Sequence, residues 1–210
     1  MNGRRVTAND EAQLAPLKTF ERIEVTTRAQ WRDWLSANHR QTESVWVVTF
    51  KKGTSQPRVP YDDLVEEALA FGWVDSLPRK LDDERTMLLM SPRKPGSNWS
   101  AVNKARIDKM TAAGLMHPAG LAKIEQARAD GSWSALDTVD RLEVPADLAA
   151  AFDQRPGSAE AFAAFPPSTR RGILEWIGNA KRPETRAARI AETADKAQRG
   201  ERANQWRGRG

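Results

Sequence analysis

The run Ser91-Pro92-Arg93-Lys94-Pro95-Gly96-Ser97-Asn98-Trp99-Ser100 gathers the residue types that hold an anion. Two prolines and a glycine take it out of any strand and fix it as a loop, since proline lacks a ladder donor and glycine frees the backbone. A helix follows from Trp99. Ser97 or Asn98 is placed to cap it, leaving other N–H groups and the positive end of the helix dipole open. Arg93 supplies a planar fork and Lys94 a point charge just ahead of that terminus, a combination suited to phosphate, sulfate or carboxylate. The same residues also make an ordinary capped helix start with two solvated cations. Asn103, one turn on, either reaches back to the loop or faces solvent.

The elements that must position this loop lie on both sides of it. Trp73 to Leu77 and Arg85 to Met90 read as strands joined through the polar segment Pro78 to Glu84 as an antiparallel hairpin. That pairing would bring Trp73, Asp75, Ser76, Arg79, Arg93, Lys94, Ser97, Asn98, Trp99 and Asn103 to one ligand-binding cleft. Asp75 either orients Arg93 or Arg79 or serves as a general base, and it is the one catalytic candidate. Val45 to Phe50 is β-branched and aromatic without polar alternation, which predicts a central strand buried on both faces. Phe20 to Val25 alternates and predicts an edge strand. Thr27 and Gln30 form a capping box for a helix bearing Trp31, Trp34 and Leu35 on one face.

Pro60 opens an amphipathic helix that ends at Gly72. Its Asp62, Asp63, Glu66 and Glu67 read as a solvated face that complements the dipole, with oxygen ligation of a hard cation as the alternative. His39 and His117 are the only histidines. They fall in unrelated segments without triad or metal-pair spacing, and His117 before Pro118 reads as a helix cap.

Pro145 marks a seam, followed by helical runs at 146–154, 158–165 and 168–179 whose apolar residues make a small helical subdomain. The expected organisation is a leader over 1–20, an α+β domain over 21–144 with a small, mainly antiparallel sheet packed with helices, a helical region over 145–199, and a basic disordered tail over 200–210. Residues 181–210 hold nine Lys and Arg against four Asp and Glu, an excess equal to the +5 of the whole chain. Arg182, Arg186 and Arg189 stand at helical spacing. They form either a phosphate-binding stripe for nucleic acid or one face of a solvated helix.

The 210 residues are 40% hydrophobic with eight Trp, enough for a substantial core. The mean hydropathy of −0.66 and the absence of any apolar run near 20 residues argue against a membrane span. With no apolar segment after Arg4-Arg5, a cytoplasmic protein is expected. Having no cysteine excludes disulfides, thiolate metal sites and cysteine nucleophiles. No metal or cofactor is expected. The net positive charge favours acidic partners.

Three stretches carry a resemblance. Tyr61-Asp62-Asp63-Leu64-Val65-Glu66-Glu67 through Phe71-Gly72-Trp73-Val74-Asp75-Ser76, the loop at 91–100 with Asn103, and Trp176-Ile177-Gly178-Asn179-Ala180-Lys181-Arg182-Pro183-Glu184-Thr185-Arg186 with Arg189-Ile190 together resemble the bacterial YdeI/OmpD-associated, bacteriocin-protection family. The resemblance runs from about Thr26 to Ala197. It implies a role in envelope or antimicrobial-stress protection and carries over no catalytic residues. The leading expectation is a non-catalytic module binding an anionic small molecule or a phosphate-bearing partner. The alternatives are nucleic-acid binding through the basic C-terminus, and an enzyme acting on a phosphorylated or carboxylated small molecule.

Overall fold

Val45–Phe50 (β2) is buried along its whole length in the computed structural model of the chain, which describes residues 20–204. Glu21–Glu24 (β1) flanks it on one side in parallel, joined through helix α1 (Arg28–Asn38), and Arg85–Pro92 (β4) flanks it antiparallel on the other. Trp73–Lys80 (β3) closes the sheet against β4, giving the order β1-β2-β4-β3. The expected hairpin is therefore present, with an irregularity between Asp75 and Pro78. The chain is α+β, and its sheet is antiparallel except at the β1 edge.

The capping box expected at Thr27 is formed: its side chain accepts from the Gln30 N–H while Gln30 Oε1 accepts from the Thr27 N–H. Trp31 is fully buried, stacks on Trp34 at 5.2 Å between ring centroids, and donates its indole N–H to the Leu64 carbonyl at 3.0 Å. Leu64 lies on α2 (Tyr61–Ala70), which packs on α1, on β3 and on α4 (Pro118–Ala129). After α2, Gly72 takes φ +79°, the left-handed geometry that ends a helix cheaply only with glycine. Helix α3 (Ala101–Ala112) buries Ile107 and Met110 and leaves Val102 60% exposed.

The acidic face of α2 is a correction. Glu66 and Glu67 are 3% and 2% exposed. Arg28 spans Asp63, Glu66 and Glu67 at 2.9, 3.0 and 2.6 Å, while Arg32 takes Glu67 and Lys109 takes Glu66, each at 2.6 Å. The cations come from α1 and α3, too far away in sequence for the spacing within α2 to reveal.

The described residues fall into two units by their own contacts: 20–97 with Val102–Trp133, and Asn98–Ala101 with 134–204. The second unit is helical: α5 (Asp137–Asp140), α6 (Ala146–Asp153), α7 (Ser158–Ala163), α8 (Pro167–Gly178) and α9 (Pro183–Gln198). Leu148, Phe152, Phe162, Ile173, Leu174 and Ile177 form its core. α9 is not a solvated helix. It sends Ile190, Thr193, Ala194 and Ala197 inward, the i, i+3, i+4, i+7 pattern of a buried stripe. Ala203, placed in the expected tail, is 1% exposed in the same core. The leader through residue 19 and the tail from residue 205 lie outside the described residues.

Candidate functional site

The loop after β4 turns its two cations apart. Arg93 is 3% exposed and its N–H donates to the Gly72 carbonyl at 3.0 Å, while Lys94 is exposed. The bend is closed by Ser97, whose N–H and hydroxyl both donate to the Lys94 carbonyl. Backbone donors expected to await an anion are taken by the chain's own carboxylates: the Gly96 N–H by Asp130 at 3.2 Å, and the Ala101 N–H by Asp140 at 2.9 Å. Hydrogen bonds from Ser132 and then from Gly96 hold the Asp130 carboxyl below its usual range.

The other expected site residues are dispersed. Trp73 and Trp99 are 0% and 1% exposed, and Trp73 donates to the His39 carbonyl at 3.1 Å. Ser76 donates to Leu89, Arg79 is exposed, and Asn98 Nδ2 donates to Asn179 Oδ1 at 3.0 Å within the second unit.

What does assemble in the first unit centres on Tyr61, which sequence reasoning left out. The Tyr61 hydroxyl donates to Asp75 Oδ2 at 2.6 Å. Burial, followed by the Asp75 hydrogen bond and charge, pushes its hydroxyl up to about 12. The Arg106 guanidinium lies 5.7 Å from the Tyr61 ring centroid, pairs with Asp62 at 2.6 Å and donates to Asn103 at 2.9 Å. Asp75 also acts on Arg93, whose burial nevertheless draws it down to about 10. Tyr61 also lines a pocket of about 110 Å³ with Arg58, Leu64, Met87 and Leu88. Among the described residues the Arg58 guanidinium makes no ion pair. Of the ten residues placed in one cleft, Asp75 lies against Tyr61, Arg93 feels the Asp75 charge and Asn103 is reached through Arg106, so these three lie around a tyrosine rather than around the loop. Tyr61 right after Pro60, at a helix start, was the available signal.

The chain's two histidines meet, contrary to their reading as unrelated. Their ring centroids lie 4.7 Å apart, and Phe71 stacks on His117 at 4.6 Å. His117 Nδ1 accepts from the Ala119 N–H at 3.2 Å and so caps α4 in its neutral form. Burial, then His39, Arg32 and Arg40, lowers its proton affinity below the ordinary 6.5. A base depressed in the fold stabilises it above its unfolded pKa, and this contribution drains away as pH falls below that value toward the folded one. As pH falls through and below about 6.5 the protein is expected to lose stability through this one group. His117→Asn, which caps without titrating, should flatten that part of a denaturation-against-pH curve.

In the second unit, the segment at 176–189 explains its own residue types. Arg186 binds Asp147 at 2.7 and 2.9 Å. Arg189 donates to the Trp176 carbonyl and lies 4.9 Å from the Trp176 ring, so it satisfies an otherwise open carbonyl at the end of α8. Two of the three arginines of the expected phosphate stripe are therefore engaged within the fold, and Arg182 alone is exposed.

Residues 141–200, which include this segment, match the model of the family described as Bacteriocin-protection, YdeI or OmpD-Associated. Over this stretch the chain is similar to that family. The matched stretch takes in α6 through α9 of the helical second unit. Residues 23–123 match a separate model, a domain of unknown function, DUF8412, and it is here that the Tyr61 to Ser76 run, the 91–100 loop and Asn103 fall. No curated protein and no solved structure matches the chain. Among the described residues no helix is long and apolar enough to cross a membrane.

Proposed function

We propose that this protein is a cytoplasmic, non-catalytic module of the bacteriocin-protection type that binds a small anion at the Tyr61 cluster of its first unit, in service of envelope or antimicrobial-stress protection. The observation that carries the reading is the state of Arg58. Its guanidinium stands beside an apolar pocket and makes no ion pair among the described residues, while Arg106 is committed to Asp62 and the Asp75 carboxylate accepts from Tyr61. An exposed cation at the mouth of an apolar pocket, with no carboxylate partner of its own, is open to a negative guest whose remainder the pocket can shelter. Stress protection rests on the family description of the second unit.

Thermal stabilisation by acetate and by inorganic phosphate tests the reading. A bound anion at ten times its Kd adds about 1.4 kcal/mol to unfolding. Arg58→Ala should remove most of this, whereas Asp75→Asn, which keeps an acceptor for Tyr61 and deletes a repelling charge, should increase it. The exposed Lys94→Ala should change nothing. Equal stabilisation in all four proteins would assign the anion effect to general screening and end the proposal.

A further inference from the structure

We infer that the ligand of the first unit is a small monocarboxylate with a compact apolar body of about six carbons, its body in the pocket beside Tyr61 and its carboxylate on Arg58. The inference rests on the anion-binding reading above and adds the chemical class of the guest.

The pocket arises from the sheet's one irregularity. Between Asp75 and Pro78 the β3–β4 register slips, so β3 leaves an opening where Pro78 comes opposite Leu88. α2 covers the opening with Leu64 and Tyr61, and the loop ahead of α2 is tied down where the Val59 N–H donates to Thr49 Oγ1 at 3.3 Å. The inner walls are largely apolar and buried: Leu64, Met87 and Leu88 are 2%, 4% and 7% exposed, with Thr49 and Thr86 as the hydroxyl-bearing lining residues. Arg58, exposed at the rim, is the pocket's one charged lining residue. An apolar chamber with a single cation at its edge selects a guest that is apolar at one end and anionic at the other.

Size narrows the class further. A dry cavity of roughly 150 Å³ accepts benzene. About 110 Å³ takes most of one ring or a short branched chain, leaving the charged end at the mouth. A doubly charged phosphate would leave the chamber empty, and a long fatty acyl chain would overrun it. The Tyr61 hydroxyl, whose proton is given to Asp75, offers no donor to the carboxylate, so Arg58 has to supply the contact.

Titration calorimetry on the full chain with acetate, butyrate, 4-methylpentanoate, cyclohexanecarboxylate and decanoate, with inorganic phosphate and cyclohexylmethanol alongside, decides the matter. The expected result is tightening of about fourfold per added methylene up to six or seven carbons, then a plateau or loss at decanoate. Arg58→Ala should weaken cyclohexanecarboxylate at least tenfold and leave cyclohexylmethanol unchanged. Leu88→Phe, which fills the chamber, should abolish the chain-length dependence while keeping acetate. Should Leu88→Phe fail to fold, the wild-type series and Arg58→Ala decide alone. If acetate and phosphate bind as well as cyclohexanecarboxylate, anion binding stands and the pocket assignment falls. If the alcohol binds as tightly as the acid, the ligand class is wrong. If nothing binds, this inference and the anion reading fall together.

Discussion

Arg28→Ala is expected to lower the unfolding free energy by about 3 kcal/mol, the lower end of the range for removing one partner from a buried ion pair. Arg28 touches three carboxylates, two of them on side chains only 4% and 3% exposed, Glu66 and Glu67. Burial opposes its charge, but the hydrogen bond and charge of Glu67, with Glu66 and Asp63, more than reverse this and raise its proton affinity. Loss of the guanidinium strands buried negative charge. The effect stays below the top of the range because Arg32 and Lys109 each keep one carboxylate, and because Arg28 is about a third exposed. Arg28→Lys should recover little, since a point charge cannot span three acceptors as the fork does. Urea denaturation of the three proteins at one pH measures both differences, and full stability in Arg28→Ala would show the network to be ornamental.

Gly120→Ala is expected to cost about 3 kcal/mol, although replacing a helical glycine by alanine normally stabilises by up to about 1 kcal/mol. A Cβ at this position of α4 would lie 2.2 Å from the Ala70 carbonyl oxygen and 2.7 Å from its carbon, both backbone atoms. The same carbonyl accepts the His117 N–H at 3.1 Å, so α2 and α4 are held together where the added methyl would have to go. Gly172 of α8 is the control, because a Cβ there meets nothing within 4 Å. Gly172→Ala should stabilise and Gly120→Ala should destabilise in the same thermal melts. Two substitutions of identical chemistry then separate propensity from packing, and a gain at both positions would refute the close approach.

Patterns completed within a few residues were legible in the amino-acid order. The capping box at Thr27, the fully apolar β2, the hairpin of β3 and β4, and the stop at Gly72 depend on propensity and on neighbours along the chain. The site was legible only in part. Asp75, Arg93 and Asn103 do enter one cluster, but the loop that suggested it closes on itself through Ser97, Asp130 and Asp140. α9 reads as solvated because two of its four inward residues, Ala194 and Ala197, are alanines, whose small apolar surface looks solvent-tolerant until the i, i+3, i+4, i+7 spacing that begins at Ile190 is counted.

By itself the sequence determined which segments become strands and helices, because backbone preferences and hydrophobic period are properties of local sequence. Tertiary structure decided the fate of every ionic group that mattered. Arg28 finds Glu67 across 39 positions, Arg186 finds Asp147 across 39, and Tyr61 finds Asp75 across 14. Charge reaches through space and is strengthened where packing removes water, so a cation's role is fixed only once the chain has chosen which carboxylate to bring beside it.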